Sequence, residues 1–148
     1  MLFRSAAEQY RTAAIGAELN NELSVALARL ETEVRDIPHK SGTATPDITS
    51  ATATALQWSN SGACSLTLTG SQLTLAVQGG ADAALLSDVT GLAVQCYDQA
   101  NAPLASTLSG AACDAIRRIS VSVTLTRSGV STTLRTKVFL RCTMQGAG

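Results

Sequence analysis

The side chains with the most chemistry to offer in this 148-residue sequence are four cysteines, one histidine and a late run of cations. Cys64, Cys96, Cys113 and Cys142 contain no CxxC pair, and the one histidine, His39, lies beside Pro38 in a connecting stretch. Zinc coordination and dithiol redox chemistry are poorly served by that set. An even cysteine count in a small, loop-rich domain fits two disulfides made in an oxidising compartment; four buried thiols are the alternative. Cys96 ends one expected strand and Cys113 precedes the next. The favoured pairing therefore joins Cys96 to Cys113 across the loop between them and leaves Cys64 for Cys142. Nucleophilic catalysis finds no support, since no serine or threonine stands in an elbow motif or beside an acid–base partner. Gly79-Gly80 reads as a strand break, not a phosphate loop, and the aspartates form no DxDxDG calcium loop. No enzyme activity, cofactor or metal is expected.

The formal net charge is +0, so no global field favours nucleic acid or an anionic membrane. The distribution is uneven. The last glutamate is Glu33, and between Lys40 and Arg117 the only charges are Asp47, Asp82, Asp88, Asp98 and Asp114. From Arg117 onward the chain carries Arg117, Arg118, Arg127, Arg135, Lys137 and Arg141 and no acid. Such patches either pair within the fold or steer contacts between subunits. Arg135, Lys137 and Arg141 alternate onto one face of an expected strand. A basic ribbon of that kind fits contact with nucleic-acid phosphates, or simply a solvated edge that discourages aggregation. Stacking aromatics are sparse beside it: Trp58, Tyr97 and Phe139.

The elements that position these residues divide sharply in character. Residues 1–37 hold no proline and read as one helix, with Phe3, Ala6, Ala7, Tyr10, Ala13, Ala14 and Ala17 continuing into Leu19, Leu23, Leu27, Leu30, Val34 and Ile37. The first half is Ala-rich and is expected to protrude and meet neighbouring subunits. The second is Leu-rich and fit to cover a sheet. Glu31 and Arg35 form a favourable i,i+4 pair. The pattern begins at Met1 without a capping signal, which fits a longer helix cut at its start. No apolar run of membrane-spanning length occurs. Residues 38–57 read as an irregular connection and 58–148 as an antiparallel β head. A hairpin turns at Gly70-Ser71, a strand spans Val89 to Tyr97, and a second hairpin turns at Ser128-Gly129, its last strand running on through Leu140 to Cys142.

Three segments carry a resemblance. Leu27-Ala28-Arg29-Leu30-Glu31-Thr32-Glu33-Val34-Arg35 resembles the end of the N-terminal helix in minor pilins and pseudopilins of type IV pili and type II secretion systems. Leu86-Ser87-Asp88-Val89-Thr90-Gly91-Leu92-Ala93-Val94-Gln95-Cys96-Tyr97-Asp98 is similar to the family's strand entering a Tyr-Asp turn. Ile116-Arg117-Arg118-Ile119-Ser120-Val121-Ser122-Val123-Thr124-Leu125 resembles the strand that follows. The J-type pseudopilins and W-type minor pilins are closest in segment order. The family's cleavage site and apolar membrane helix are not in this sequence.

The resemblance implies an α+β, pilin-like fold, with the long helix packed on one curved antiparallel sheet. It implies a structural subunit that primes or caps a pilus or secretion pseudopilus, with other minor subunits as partners. The full chain would be cleaved and N-methylated, anchored in the inner membrane with a periplasmic head, and then extracted into the filament. The alternative reading is a pilus-associated module that binds DNA, a surface or a secreted substrate through its basic C-terminal strand.

Overall fold

A 34-residue helix, α1 (Leu2–Arg35), leads the structure, a computed structural model that describes residues 2–144. Pro38 cannot donate a backbone N–H and disfavours a helical residue before it, and α1 ends two residues short of Ile37. The expected Glu31–Arg35 ion pair is formed on its last turns. At about 1.5 Å per residue α1 is about 50 Å long.

Nine strands follow among the described residues: β1 (Ile48–Thr52), β2 (Ala55–Ser59), β3 (Ala63–Thr69), β4 (Gln72–Ala76), β5 (Ala83–Leu86), β6 (Val89–Tyr97), β7 (Leu108–Ser109), β8 (Arg118–Arg127) and β9 (Val130–Phe139). A 3₁₀ helix, Gly110–Ala115, precedes β8, and a short α2 (Arg141–Met144) follows β9. Both expected hairpins are present. At Ser128 and Gly129 φ is +52° and +78°, the two successive positive values that a tight hairpin turn with right-handed twist needs.

The expected single curved sheet is not what forms, and a pilin-like helix on one sheet is overturned. The chain is mostly antiparallel strand, arranged in two sheets: six strands in the order β5-β4-β3-β2-β1-β7 and three in the order β6-β8-β9. The break falls between β5 and β6, where Ser87 and Asp88 turn the chain out of the first sheet, Asp88 at φ +60°. Strand β6 then pairs with β8 from Val89↔Leu125 to Tyr97↔Arg118, not with its sequence neighbour β5. A backbone bond from Val94 N–H to the Ala53 carbonyl (2.9 Å) ties the second sheet to the first at the β1–β2 turn. Two strands, β1 and most of β2, lie in the stretch read as an irregular connection. The last strand stops at Phe139, leaving buried Leu140 and half-buried Cys142 beyond it.

Helix α1 packs chiefly on β9 and β8. Its Leu19, Leu23, Leu30 and Val34 are fully buried and join Leu56, Trp58, Leu66 and Leu73 of the six-stranded sheet and Ile119, Val121, Val123 and Leu125 of β8 in one core. The two halves of the helix do not share a face as expected. From Ala17 to Leu19 the step is two residues, a turn of about 200° at 3.6 residues per turn. Leu19 is accordingly buried while Ala17 is exposed.

Candidate functional site

Three places gather the residues singled out above. The first is the outer stripe of α1. Every described side chain from Ser5 to Ala14 is exposed, so Ala6, Ala7, Tyr10, Ala13 and Ala14 cover nothing in the chain itself. The side chain of Phe3 lies outside those described. Tyr10 is 80% exposed. In helical phase the stripe runs on from Tyr10, Ala14 and Ala17 to Asn21 and Val25, the last 66% exposed. There it meets a groove of about 740 Å³ between α1 and β5, lined in part by Val25, Ala26, Ala84 and Leu85. Strand β5 is an edge, paired only with β4.

Arg127, at the end of β8, fixes the helix where the exposed stub leaves the core. Its guanidinium donates to Asp88 Oδ2 (2.9 Å), Glu22 Oε2 (2.9 Å) and Glu18 Oε1 (3.3 Å). Lys40 meets Asp114 at 2.5 Å and pins the segment after the helix to the 3₁₀ turn. Asp88 and Asp114, two members of the acidic middle, are thus paired within the fold.

The second place is the set of cysteines, all four free thiols. Cys64 on β3 donates to the Gly62 carbonyl (3.6 Å) and accepts from Gln78 N–H (3.3 Å). Burial pushes the Cys96 thiol up from 9.0 to about 12, with Cys113 close enough to add to the shift. Cys113, in the 3₁₀ helix, is raised by burial against the pull of Lys40. Cys142 is raised by burial too, opposed by a backbone N–H bond and by Arg117. It borders a shallow depression of about 480 Å³ with His39, Arg35, Asp36, Asn60 and Arg141. Held protonated in this way, Cys96, Cys113 and Cys142 are weak nucleophiles. Among the described residues no three His, Cys, Asp or Glu side chains gather to hold a metal.

The third place is the outer face of the three-stranded sheet. Alternation in β9 sends Leu134, Thr136 and Val138 toward the helix, Thr136 donating to Glu31 (3.3 Å), and exposes Arg135, Lys137 and Phe139. Register brings Arg118 opposite Phe139 on one side and Tyr97 on the other. The Arg118 guanidinium lies 4.8 Å from the Phe139 ring centre and the Lys137 ammonium 4.3 Å from that of Tyr97. Contacts of this kind are worth about 0.5–1 kcal/mol each at exposed sites. Lys137 and Arg118 also donate to Asn101 Oδ1 at 3.0 and 3.3 Å.

Arg135 and Lys137 therefore share a face, as their spacing predicts. Arg141 does not join them: the strand ends before it, and its guanidinium faces Asp36 at 3.4 Å. Arg117 is occupied by the carbonyls of Asp114 and Ile116, and Arg127 by the helix acids. Sequence reasoning missed Tyr97 as a member of this face and did not place Arg118 on it, whereas Phe139 alternates with Arg135 and Lys137 along the same strand. The signal was the in-phase alternation of Arg118 with the outward residues of β8.

No protein-family model matches the chain, and no curated protein matches it significantly. Among the described residues no helix is long and apolar enough to cross a membrane.

Proposed function

We propose that the chain is a structural subunit of a helical-core assembly of the minor pilin or pseudopilin kind, acting by packing and not by catalysis. The observation that carries this reading is the stub of α1, whose Ala-rich stripe from Ala6 to Ala17 stays exposed and opposite the face anchored in the core. Small side chains allow close approach of a second helix. A partner on that side would sandwich α1 between itself and the β sheets. The two-sheet fold lends no support of its own, so the proposal rests on the helix and on the sequence resemblance. Neighbouring helices of similar subunits are the partners this surface suits, with an inner-membrane and filament location as the resemblance implies.

The test is Ala14→Glu combined with Ala17→Glu in cells that make the assembly. Both positions are exposed, so the purified chain should melt within about 1 °C of the wild type. Incorporation should fall at least tenfold, and a photo-crosslinker at Tyr10 should join the chain to the N-terminal helix of an identified neighbouring subunit. Normal incorporation of the double variant would end the proposal.

A further inference from the structure

We infer that the outer face of the three-stranded sheet binds single-stranded nucleic acid, Arg118, Arg135 and Lys137 meeting phosphates while Tyr97 and Phe139 stack on bases. This activity is separate from assembly and does not depend on it.

The face is built by register. Tyr97, Arg118 and Phe139 form one row across β6, β8 and β9; Gln95, Ser120 and Lys137 form the next, and Ala93, Ser122 and Arg135 the third. Strands stand about 4.8 Å apart, so the two rings are separated by about 10 Å with a guanidinium between them. Alternate residues advance about 6.8 Å, so Phe139, Lys137 and Arg135 span about 14 Å. Beyond them the hydroxyls of Ser122, Thr124 and Thr133 continue the same surface.

Its electrostatics are one-sided. Strands β6, β8 and β9 contain no Asp or Glu. Among the described residues Arg118, Arg135 and Lys137 enter no ion pair, although Arg127, Arg141 and Lys40 all do. The acid that borders the face in sequence is Asp98, directly after Tyr97. Its Oδ1 accepts the backbone N–H groups of Ala100 and Ala102 at 2.9 Å, and its carbonyl accepts from Arg118 at 3.4 Å. The two ring-bound cations are held by ring contacts, each worth only about a two- to five-fold bias, and by neutral hydrogen bonds to Asn101 Oδ1. A phosphate draws such a cation away more strongly, and the ring it leaves is then open to a base.

Any polyanion answers the three cations; the rings decide among polyanions. A sulfated or uronate polysaccharide has no planar base to stack. An anionic bilayer is poorly met, since among the described residues Phe139 is the one large apolar side chain exposed on this face. Among the described residues the face is the open side of a three-stranded sheet, a platform for unpaired bases and not an element shaped to enter a duplex groove.

The test is fluorescence anisotropy with a labelled oligothymidylate of roughly 20 nucleotides, titrated over a range of salt concentrations. The wild type should bind saturably, with a slope of log affinity against log salt near about −2 for three phosphates. Arg135→Gln with Lys137→Gln should weaken binding about tenfold or more at low salt and bring the slope below about −1 in magnitude. Phe139→Leu should weaken binding about five-fold or more with its slope unchanged. Arg141→Gln should bind as the wild type does. Trp58 fluorescence establishes that each variant is folded. The proposal is overturned if the wild type shows no saturable binding at about 50 mM salt. It is equally overturned if Phe139→Leu binds normally while heparin or anionic vesicles compete as well as the oligonucleotide, which would leave only an unspecific cationic patch.

Discussion

Cys96 stands opposite Ile119 within the core that the helix and both sheets share, and that enclosure holds its thiol protonated up to about pH 12. In the unfolded chain the same thiol ionises near its ordinary value of 9.0. The folded pKa is the higher one. The stabilisation is therefore complete below pH 9 and is lost as pH rises through the folded value. Between those limits the loss is about 1.4 kcal/mol per pH unit for this one group. Lys40, raised first by its hydrogen bond to Asp114, adds to the same alkaline limb, so the thiol is isolated by comparison with Cys96→Ala. The variant should be less stable at pH 7 but lose less stability between pH 9 and 11, as read from urea midpoints. Equal slopes would show that the thiol does not carry the effect. A chain joined between Cys96 and Cys113 has no thiol there to titrate. The same experiment under reducing and oxidising conditions thus tests the pairing expected from the sequence.

At the scale of elements, Arg127 decides how firmly the exposed half of α1 is aimed. Its three carboxylate partners sit on the helix and on the β5–β6 turn, so it joins the hairpin end of β8 to the point where the stub leaves the core. Arg127→Gln should speed amide hydrogen exchange over residues 15–22 while leaving residues 26–34 protected. About 1 M salt should reproduce part of the change in the wild type, because these contacts are partly open to solvent. Unchanged exchange over residues 15–22 would show that core packing alone sets the helix direction. Both hairpins were readable in the sequence because clean period-two alternation meets two-residue turns. Strand β1 was not. A register shift between Ile48 and Ser50 puts its buried residues, Ile48 and Ala51, three apart, and its remaining side chains are small hydroxyls. Strand β5, four residues of Ala and Leu, is too short to show a period. The change of face on α1 was hidden in a single two-residue step, which a count of threes and fours passes over.

At the scale of the whole molecule, what the sequence leaves out is pairing between distant strands. Arg135 and Lys137 are readable as one stripe because they share a strand. Arg118, Tyr97 and Phe139 come together only through the β6-β8-β9 register, across separations of about 20 residues each. The same long-range pairing divides the strands into two sheets, which raises the question of whether they fold as one unit. The core answers it: Leu30, on a helix that packs mainly on β8 and β9, belongs to the same cluster as Trp58 on β2 of the other sheet. Leu30→Ala deletes a fully buried side chain and should cost about 2–5 kcal/mol. For a chain of this size that lowers the melting temperature by on the order of 10 °C. Trp58 is the only tryptophan, so its fluorescence reports the core around β2, while far-ultraviolet dichroism at the helix band reports α1. Both signals should shift together and by the same amount in Leu30→Ala, because helix and sheets lose one core in a single transition. A Trp58 transition that stays in place while the helix signal moves would mean that the two sheets are independent units.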